Sequence, residues 1–163
     1  MQKQQNTFVV FSIDGQRIAI HFALVDRVVL AAEITRLPES PPLVLGVVKV
    51  GHEVIPAINL RKIFGLPERE IEPSDQFILA HANDLKVALV VDSVEGIVEV
   101  GQSEMVTAES IFPGITGIEG VIDGGATIIL VEDLEALLLK EGKVILLREM
   151  TETPETMNAP ESP

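Results

Sequence analysis

The chain contains no cysteine, tryptophan or tyrosine. Without cysteine there is no disulfide framework, no thiolate nucleophile and no cysteine metal site. Without tryptophan or tyrosine, and with only six phenylalanines, there is little on which bases could stack. Basic residues are scarce as well: 12 Lys and Arg against 25 Asp and Glu leave a net charge of −13. Nucleic acid and anionic lipid both recruit clustered cations, so neither is an expected partner. No apolar run approaches the ~18 residues of a membrane span, which argues against direct membrane insertion. Met1–Thr7 is polar and lacks the charged and apolar regions of a signal peptide. These absences point to a cytoplasmic protein.

What is present is apolar and repetitive. Of 163 residues, 47% are hydrophobic, and a chain of this length buries roughly 70% of its unfolded surface. From Leu43 to Gly65 the sequence reads LVLGVVKVGHEVIPAINLRKIFG. Two apolar runs flank Gly51-His52, and glycine first in a two-residue loop suits a type II′ hairpin. Pro56 has no N–H, so its strand is expected at an edge or a bulge. Asn59 caps a short helix whose Leu60, Ile63 and Phe64 share a face.

The same pattern returns at Gly120, as GVIDGGATIILVEDLEALL. Gly46 maps to Gly120, Val48 to Ile122, Gly51 to Gly125, Val54 to Ile128, Asn59 to Asp133 and Leu60 to Leu134. The offset, 120 minus 46, is 74 throughout. The stretch before each copy also repeats. Phe8 maps to Phe77, Asp14 to Asn83, Ala19 to Ala88, Val25 to Val94 and Val28 to Ile97, where 77 minus 8 gives 69. A repeat of this kind decides the fold before any single residue does.

Short strands are expected at Phe8–Ile13, Arg17–Phe22, Arg27–Ala32, Phe77–His81, Lys86–Val91 and Val94–Val100, with hairpins at Asp14-Gly15 and Asn83-Asp84. Thr35–Pro42 and Thr107–Gly117 read as loops, and Leu66–Asp75 as a connector. A helix from Asp133 to Lys140 and a last strand at Lys143–Leu147 complete the ordered part. The fold class is all-β: two five-stranded β-barrels packed together, with short helices. The barrels span about 8–65 and 76–147, with exchange of strands between them left open. Residues 1–150 form one domain. Residues 151–163 extend an acidic, proline-bearing stretch from Glu149 that cannot bury enough apolar surface to order itself.

The residues offer little chemistry. His21, His52 and His81 stand apart from one another and from other ligands, and read as surface or strand-end histidines. Gly114, Gly117 and Gly120 are followed by a strand rather than the helix a phosphate cradle needs. Glu132-Asp133 could be a carboxylate pair, but Asp133 reads more simply as an N-cap. No cofactor is implied and no enzyme is expected. Lys49 and Glu53 flank the hairpin turn and could pair across it.

LVDRVV at Leu24–Val29, LVLGVVKVGHEVIPAINLRKIFGLP at Leu43–Pro67 and VALVVDSVEGI at Val87–Ile97 resemble the CheW-like chemotaxis coupling domain. Its signature is an apolar G-V-x-N-x-R-G-x-x-x-P-x-x-D-L-R, matched in order by Gly46, Val47, Pro56, Leu60 and Arg61. The resemblance implies two SH3-like barrels around a shared core. It implies a non-catalytic adaptor between the C-terminal regulatory domain of a CheA-like histidine kinase and the cytoplasmic helical tip of chemoreceptors, recruited to membrane receptor arrays. The kinase contact lies at a barrel end, and the receptor tip lies in a groove between barrels. On that basis Val25, Val28, Val48, Lys49, Gly51, His52 and Glu53 are the partner-binding candidates. Gly46, Pro56, Asn59, Leu60, Arg61, Gly120, Gly125 and Asp133 are the structural ones. The chain departs from the signature with Lys49 at its Asn, Gly51 and His52 at its Arg-Gly, and Asn59 at its Asp. Two other readings are a diverged module of this kind serving another signalling partner, and a small-ligand or peptide-binding barrel.

Overall fold

Tight turns set the hairpins. Asp14 and Gly15 take φ of 51° and 82°, and Asn83 and Asp84 take 53° and 66°. Two successive left-handed residues match the twist of the strands they join. They link β1 (Thr7–Ile13) to β2 (Gln16–His21), and β6 (Gln76–Ala82) to β7 (Leu85–Val91). After a 3-10 turn at Phe22–Leu24 comes β3 (Val25–Leu30). Then follow β4 (Val44–Val50), β5 (Glu53–Ile58) and helix α1 (Leu60–Ile63). The second half continues with β8 (Ser93–Glu99), β9 (Met105–Thr107), helix α2 (Ala108–Ile111), β10 (Ile118–Asp123), β11 (Ile128–Glu132) and helix α3 (Leu134–Leu139). This computed structural model describes residues 6–115 and 117–139. The expected last strand at Lys143–Leu147 and the acidic tail at 151–163 lie outside the described residues.

The strands form two sheets, in the orders β8-β1-β2-β11-β10-β9 and β3-β6-β7-β5-β4. The fold is all-β with two small sheets, one of them carrying a sixth strand. Neither sheet follows the division at 8–65 and 76–147. The first hairpin, β1-β2, belongs with β8 to β11 of the second half, and β6-β7 belongs with β3 to β5 of the first. The halves have exchanged their leading hairpins. Two parallel contacts make the exchange: Val131 beside Ala19, and Ala57 beside Ala88. Under the 74 and 69 offsets these are the same pair.

The equivalence reaches irregular features. β1 opposes β8 with Phe8 against Val98 and a bulge after Val10. β6 opposes β3 with Phe77 against Val29 and a bulge at the matching place, between Val25 and Arg27. Gly46 and Gly120 share a second pair of bulges, in β4 and β10. A side chain on either would strike a neighbouring strand. A Cβ on Gly46 would lie 2.3 Å from the Thr35 carbonyl oxygen, and one on Gly120 2.3 Å from that of Val106. Glycine is there so that backbones can touch.

Three apolar clusters follow. Phe8, Val10, Ala19, Ile122, Ile129 and Val131 fill the first sheet's own core. Val48, Ile55, Ala57, Phe77, Leu79 and Ala88 fill the second's. Between the sheets lies a larger seam with Phe11, Ile18, Ile20, Ile58, Ile78, Val87, Leu89, Leu134 and Leu138. Strands β1, β2, β6 and β7 serve a sheet core on one face and the seam on the other, which is why FVVFSI and VALVV are almost unbroken apolar runs.

Pro56 corrects an expectation. It lies inside a sheet, with β4 on one side and β7 on the other. It is tolerated because its partner Val47 turns both backbone groups to Thr35, at 2.8 and 2.9 Å. On the other side the parallel ladder to β7 starts only at Ala57. No N–H is missed at either flank.

Val48 and Ile122, equivalent residues in the two sheet cores, are 1% and 7% exposed. Ile122→Ala should cost about 2–5 kcal/mol and Val48→Ala somewhat less. Urea midpoints check this, and an unchanged midpoint for Ile122→Ala would place its strand outside the core.

Candidate functional site

β3 is an edge strand, bonded only to β6. Its bulge divides its side chains between two faces. Val25 and Val28 sit opposite Ala80 and Ile78, face the seam and remain half-buried there. Arg27 and Val29 sit opposite Leu79 and Phe77, on the sheet-core side. Glu53, which follows the β4-β5 turn, lines one cleft with Asp26 and Arg27 of this strand. In the turn Gly51 takes φ of 61°, His52 is exposed beside it, and no atom lies within 4 Å of a Cβ built on Gly51.

The cleft is open, with a volume of about 190 Å³, and has Ile55, Leu79, Ala80 and Val87 as its apolar floor. Asp26, Arg27, Glu53, His81 and Lys86 form its charged rim. Lys86 Nζ meets Glu53 Oε2 at 2.8 Å, and His81 Nδ1 meets Asp26 Oδ1 at 2.9 Å. Arg27 makes no ion pair among the described residues.

The predicted partner-binding set therefore does not form one surface. Val48 is interior. Lys49 does not pair with Glu53: it stands opposite Val54 on the outer face of β4, whereas Glu53 turns toward β7 and takes Lys86. The sequence reading missed Arg27, Asp26, His81 and Lys86. It also missed β9 and α2, reading Thr107–Gly117 as loop. This segment leaves Val106, Ile111 and Phe112 at 50%, 51% and 65% exposure.

The structural candidates act locally. Asn59 Oδ1 accepts from the Lys62 N–H at 3.1 Å, and Asp133 Oδ1 from the Ala136 N–H at 3.1 Å, so each caps the helix that follows it. Gly125 takes φ of 90° in the β10-β11 loop. Arg61 meets Asp92 at 2.6 Å and the Pro67 carbonyl at 3.0 Å. Asp92 also accepts from Arg69 at 2.8 Å and from the Asp14 N–H at 2.8 Å. One carboxylate thus ties the β1-β2 turn of one sheet to the connector of the other. Among the described residues no group of His, Cys, Asp and Glu could hold a metal ion.

A CheW-like domain is recognised over residues 7–142. The chain belongs to the CheW-like domain family. It is 26% identical over 140 residues to Chemotaxis protein CheW of Treponema pallidum (strain Nichols), covering 82% of each chain. It is 29% identical over 141 residues to Chemotaxis protein CheW of Bacillus subtilis (strain 168), covering 85% of this chain and 90% of that one. In structure it is similar to the scaffolding protein TtCheW from Thermoanaerobacter tengcongensis. The TM-score is 0.73 at 25% identity, over 85% of this chain and 95% of the other. This CheW-like chain is a chemotaxis coupling adaptor.

Two acids of this CheW-like domain have opposite environments. Asp75 is 2% exposed. Burial alone would raise its pKa, but hydrogen bonds from Arg69 at 2.8 and 2.9 Å and from the Glu72 N–H at 2.8 Å hold it below the usual carboxylate range. Glu132 is 4% exposed and occupies the repeat position of Ile58, a seam residue. Its carboxyl has no hydrogen-bond partner among the described residues, and burial, helped by Asp133, pushes its pKa up to about 7. Nearby, His21 Nε2 meets Glu119 at 2.7 Å, and that bond raises the imidazole pKa.

The signs give a pH profile. Asp75 stabilises the fold above its ordinary pKa, and that contribution is lost as pH falls through its lowered folded value. Glu132 folds more readily protonated, so its cost grows as pH rises from about 4.5 to 7, reaching on the order of 3 kcal/mol. The His21 contribution is complete below about 6.5 and is lost as pH rises through the raised value. Stability should therefore fall between about pH 5 and 8, and Glu132→Gln should remove much of that slope. Urea unfolding across this range checks it, and an unaltered slope in the variant would contradict it.

Proposed function

We propose that the chain bridges the C-terminal regulatory domain of a CheA-type histidine kinase and the cytoplasmic helical tip of chemoreceptors, and that it does so without catalysis. The observation that carries this reading is β3. An edge strand with half-buried Val25 and Val28 beside the seam offers apolar anchors to a helix lying along the groove. Exposed Ile111 and Phe112 offer a second apolar patch for another partner, suited to the kinase domain. Two separate surfaces are what an adaptor needs. Its place of action is the cytoplasmic side of receptor arrays, because the proposed partners meet there. The clefts at the sheet ends are open and charged, which suits protein contacts better than a small apolar ligand.

The turn at Gly51-His52 sets receptor choice in this reading. The family signature has arginine where Gly51 stands, so a receptor tip adapted to that arginine should bind this chain weakly while the kinase domain binds normally. Gly51→Arg has room for its side chain, since nothing lies within 4 Å, but the φ of 61° strains it by about 1–3 kcal/mol. His52→Gly in the same chain should relieve that strain. Titration of both partners into wild type and the double variant is the test. Stronger receptor binding by the double variant supports the reading. Tight wild-type binding that the double variant leaves unchanged removes Gly51 from specificity, and binding of neither partner overturns the adaptor reading.

A further inference from the structure

The first half covers a face whose counterpart in the second half is more open. After α1 the connector Leu66–Asp75 runs back over the second sheet. Its Leu66 packs on the seam and its Ile71 on the sheet core. Glu68, Arg69 and Ile71 close on Leu45, Asn59, Arg61 and Val90 around one small cleft. Under the 74 and 69 offsets the counterparts of these last four are Glu119, Asp133, Glu135 and His21. Apolar residues next to them are more exposed than their mates. Phe22 is 38% exposed where Val91 is 1%, and Ile118 is half-buried where Val44 is buried.

This face is also short of cations. His21 meets Glu119 at 2.7 Å, and Asp133 and Glu135 lie close enough to act on the same imidazole. Among the described residues no lysine or arginine pairs with any of the three carboxylates. The sequence that follows α3 carries what is missing. KVILLRE stands at 143–149, and the offset of 74 takes Arg69 to Lys143, Ile71 to Ile145 and Asp75 to Glu149. α3 ends at Leu139, two residues past Leu137, the counterpart of the last residue of α1. That displaces the start of the segment by about 3 Å along the helix axis, within the reach of a lysine side chain.

We propose that residues 140–149 dock on this face as the connector docks on the second sheet, with Lys143 against Glu119 and Glu135 and the apolar run Val144–Leu147 over Phe22 and Ile118. Covering the run and its seat takes apolar surface out of water. A cation among three partly buried carboxylates relieves their mutual repulsion and is screened less than an exposed pair. The segment is tethered to α3, so its docking is not opposed by the entropy of association. It lies within one chain and stands whether or not the adaptor reading holds.

Thermal unfolding and the His21 pKa, read from its imidazole resonances, test this together. Ending the chain after Leu139 should lower the melting midpoint by about 5 °C and raise the His21 pKa, because a neighbouring cation is lost. Ending it after Glu149 should change neither. In the full chain Lys143→Glu should raise the His21 pKa. Arg148→Glu, the same charge change at the counterpart of exposed Ser74, should leave it alone. If the chain ending after Leu139 does not fold, the two full-length variants decide. An unchanged midpoint and His21 pKa after truncation at Leu139 would leave the face to a partner protein and overturn the docking. So would a His21 pKa that Lys143→Glu does not move, or that Arg148→Glu raises as much. A midpoint that climbs with protein concentration would assign the segment to a second copy and overturn it as well.

Discussion

The structure depends on two parallel strand contacts, β2 with β11 and β5 with β7. Each joins a hairpin from one half of the sequence to strands from the other. Neither sheet can close its ladder from contiguous chain alone. The seam then buries Ile18, Ile20, Leu89, Ile58, Leu134 and Leu138 from both halves against one another. A half of this size has too little core to stand by itself. Exchange turns that deficit into a shared interior, and the edge strands β3 and β8 are held at equivalent places on its two sides.

Polar contacts fasten what the exchange brings together. Asp92 receives the Asp14 N–H from one sheet and Arg61 and Arg69 from the other. Arg69 in turn holds the buried Asp75. These are partly buried pairs in a network, so they outweigh an exposed pair such as Lys86 with Glu53, worth about 0.2–1 kcal/mol. Glu132 works in the other direction, as a carboxyl where the repeat places isoleucine. The two sheets are therefore alike in backbone and unlike in electrostatics. At the open ends, Arg27 has no ion pair among the described residues beside the Lys86–Glu53 and His81–Asp26 pairs, and Arg17 meets Glu95.

Much of this could be read from the residues. Matched glycines, turns and caps gave both offsets, and Gly46 and Gly120 proved to be equivalent close approaches of backbone. The exchange itself was not legible. β1-β2 and β6-β7 carry the same pattern, so either hairpin satisfies either sheet, and composition cannot choose between them. The three-residue β9 is too short for periodicity to reveal. The candidate site was legible only in part. Val25 and Val28 lie at the seam edge, whereas Val48, placed with them by the family resemblance, is interior.

Separating the halves tests the shared interior most directly. Residues 1–75 and 76–163 would be produced as two fragments, and amide spectra recorded for each alone and for the mixture. The account predicts that neither fragment alone shows the dispersed resonances of a folded sheet, and that mixing restores the spectrum of the intact chain. A fragment that folds by itself with resonances unchanged on mixing would mean that each half closes its own barrel, and the exchanged arrangement would be wrong.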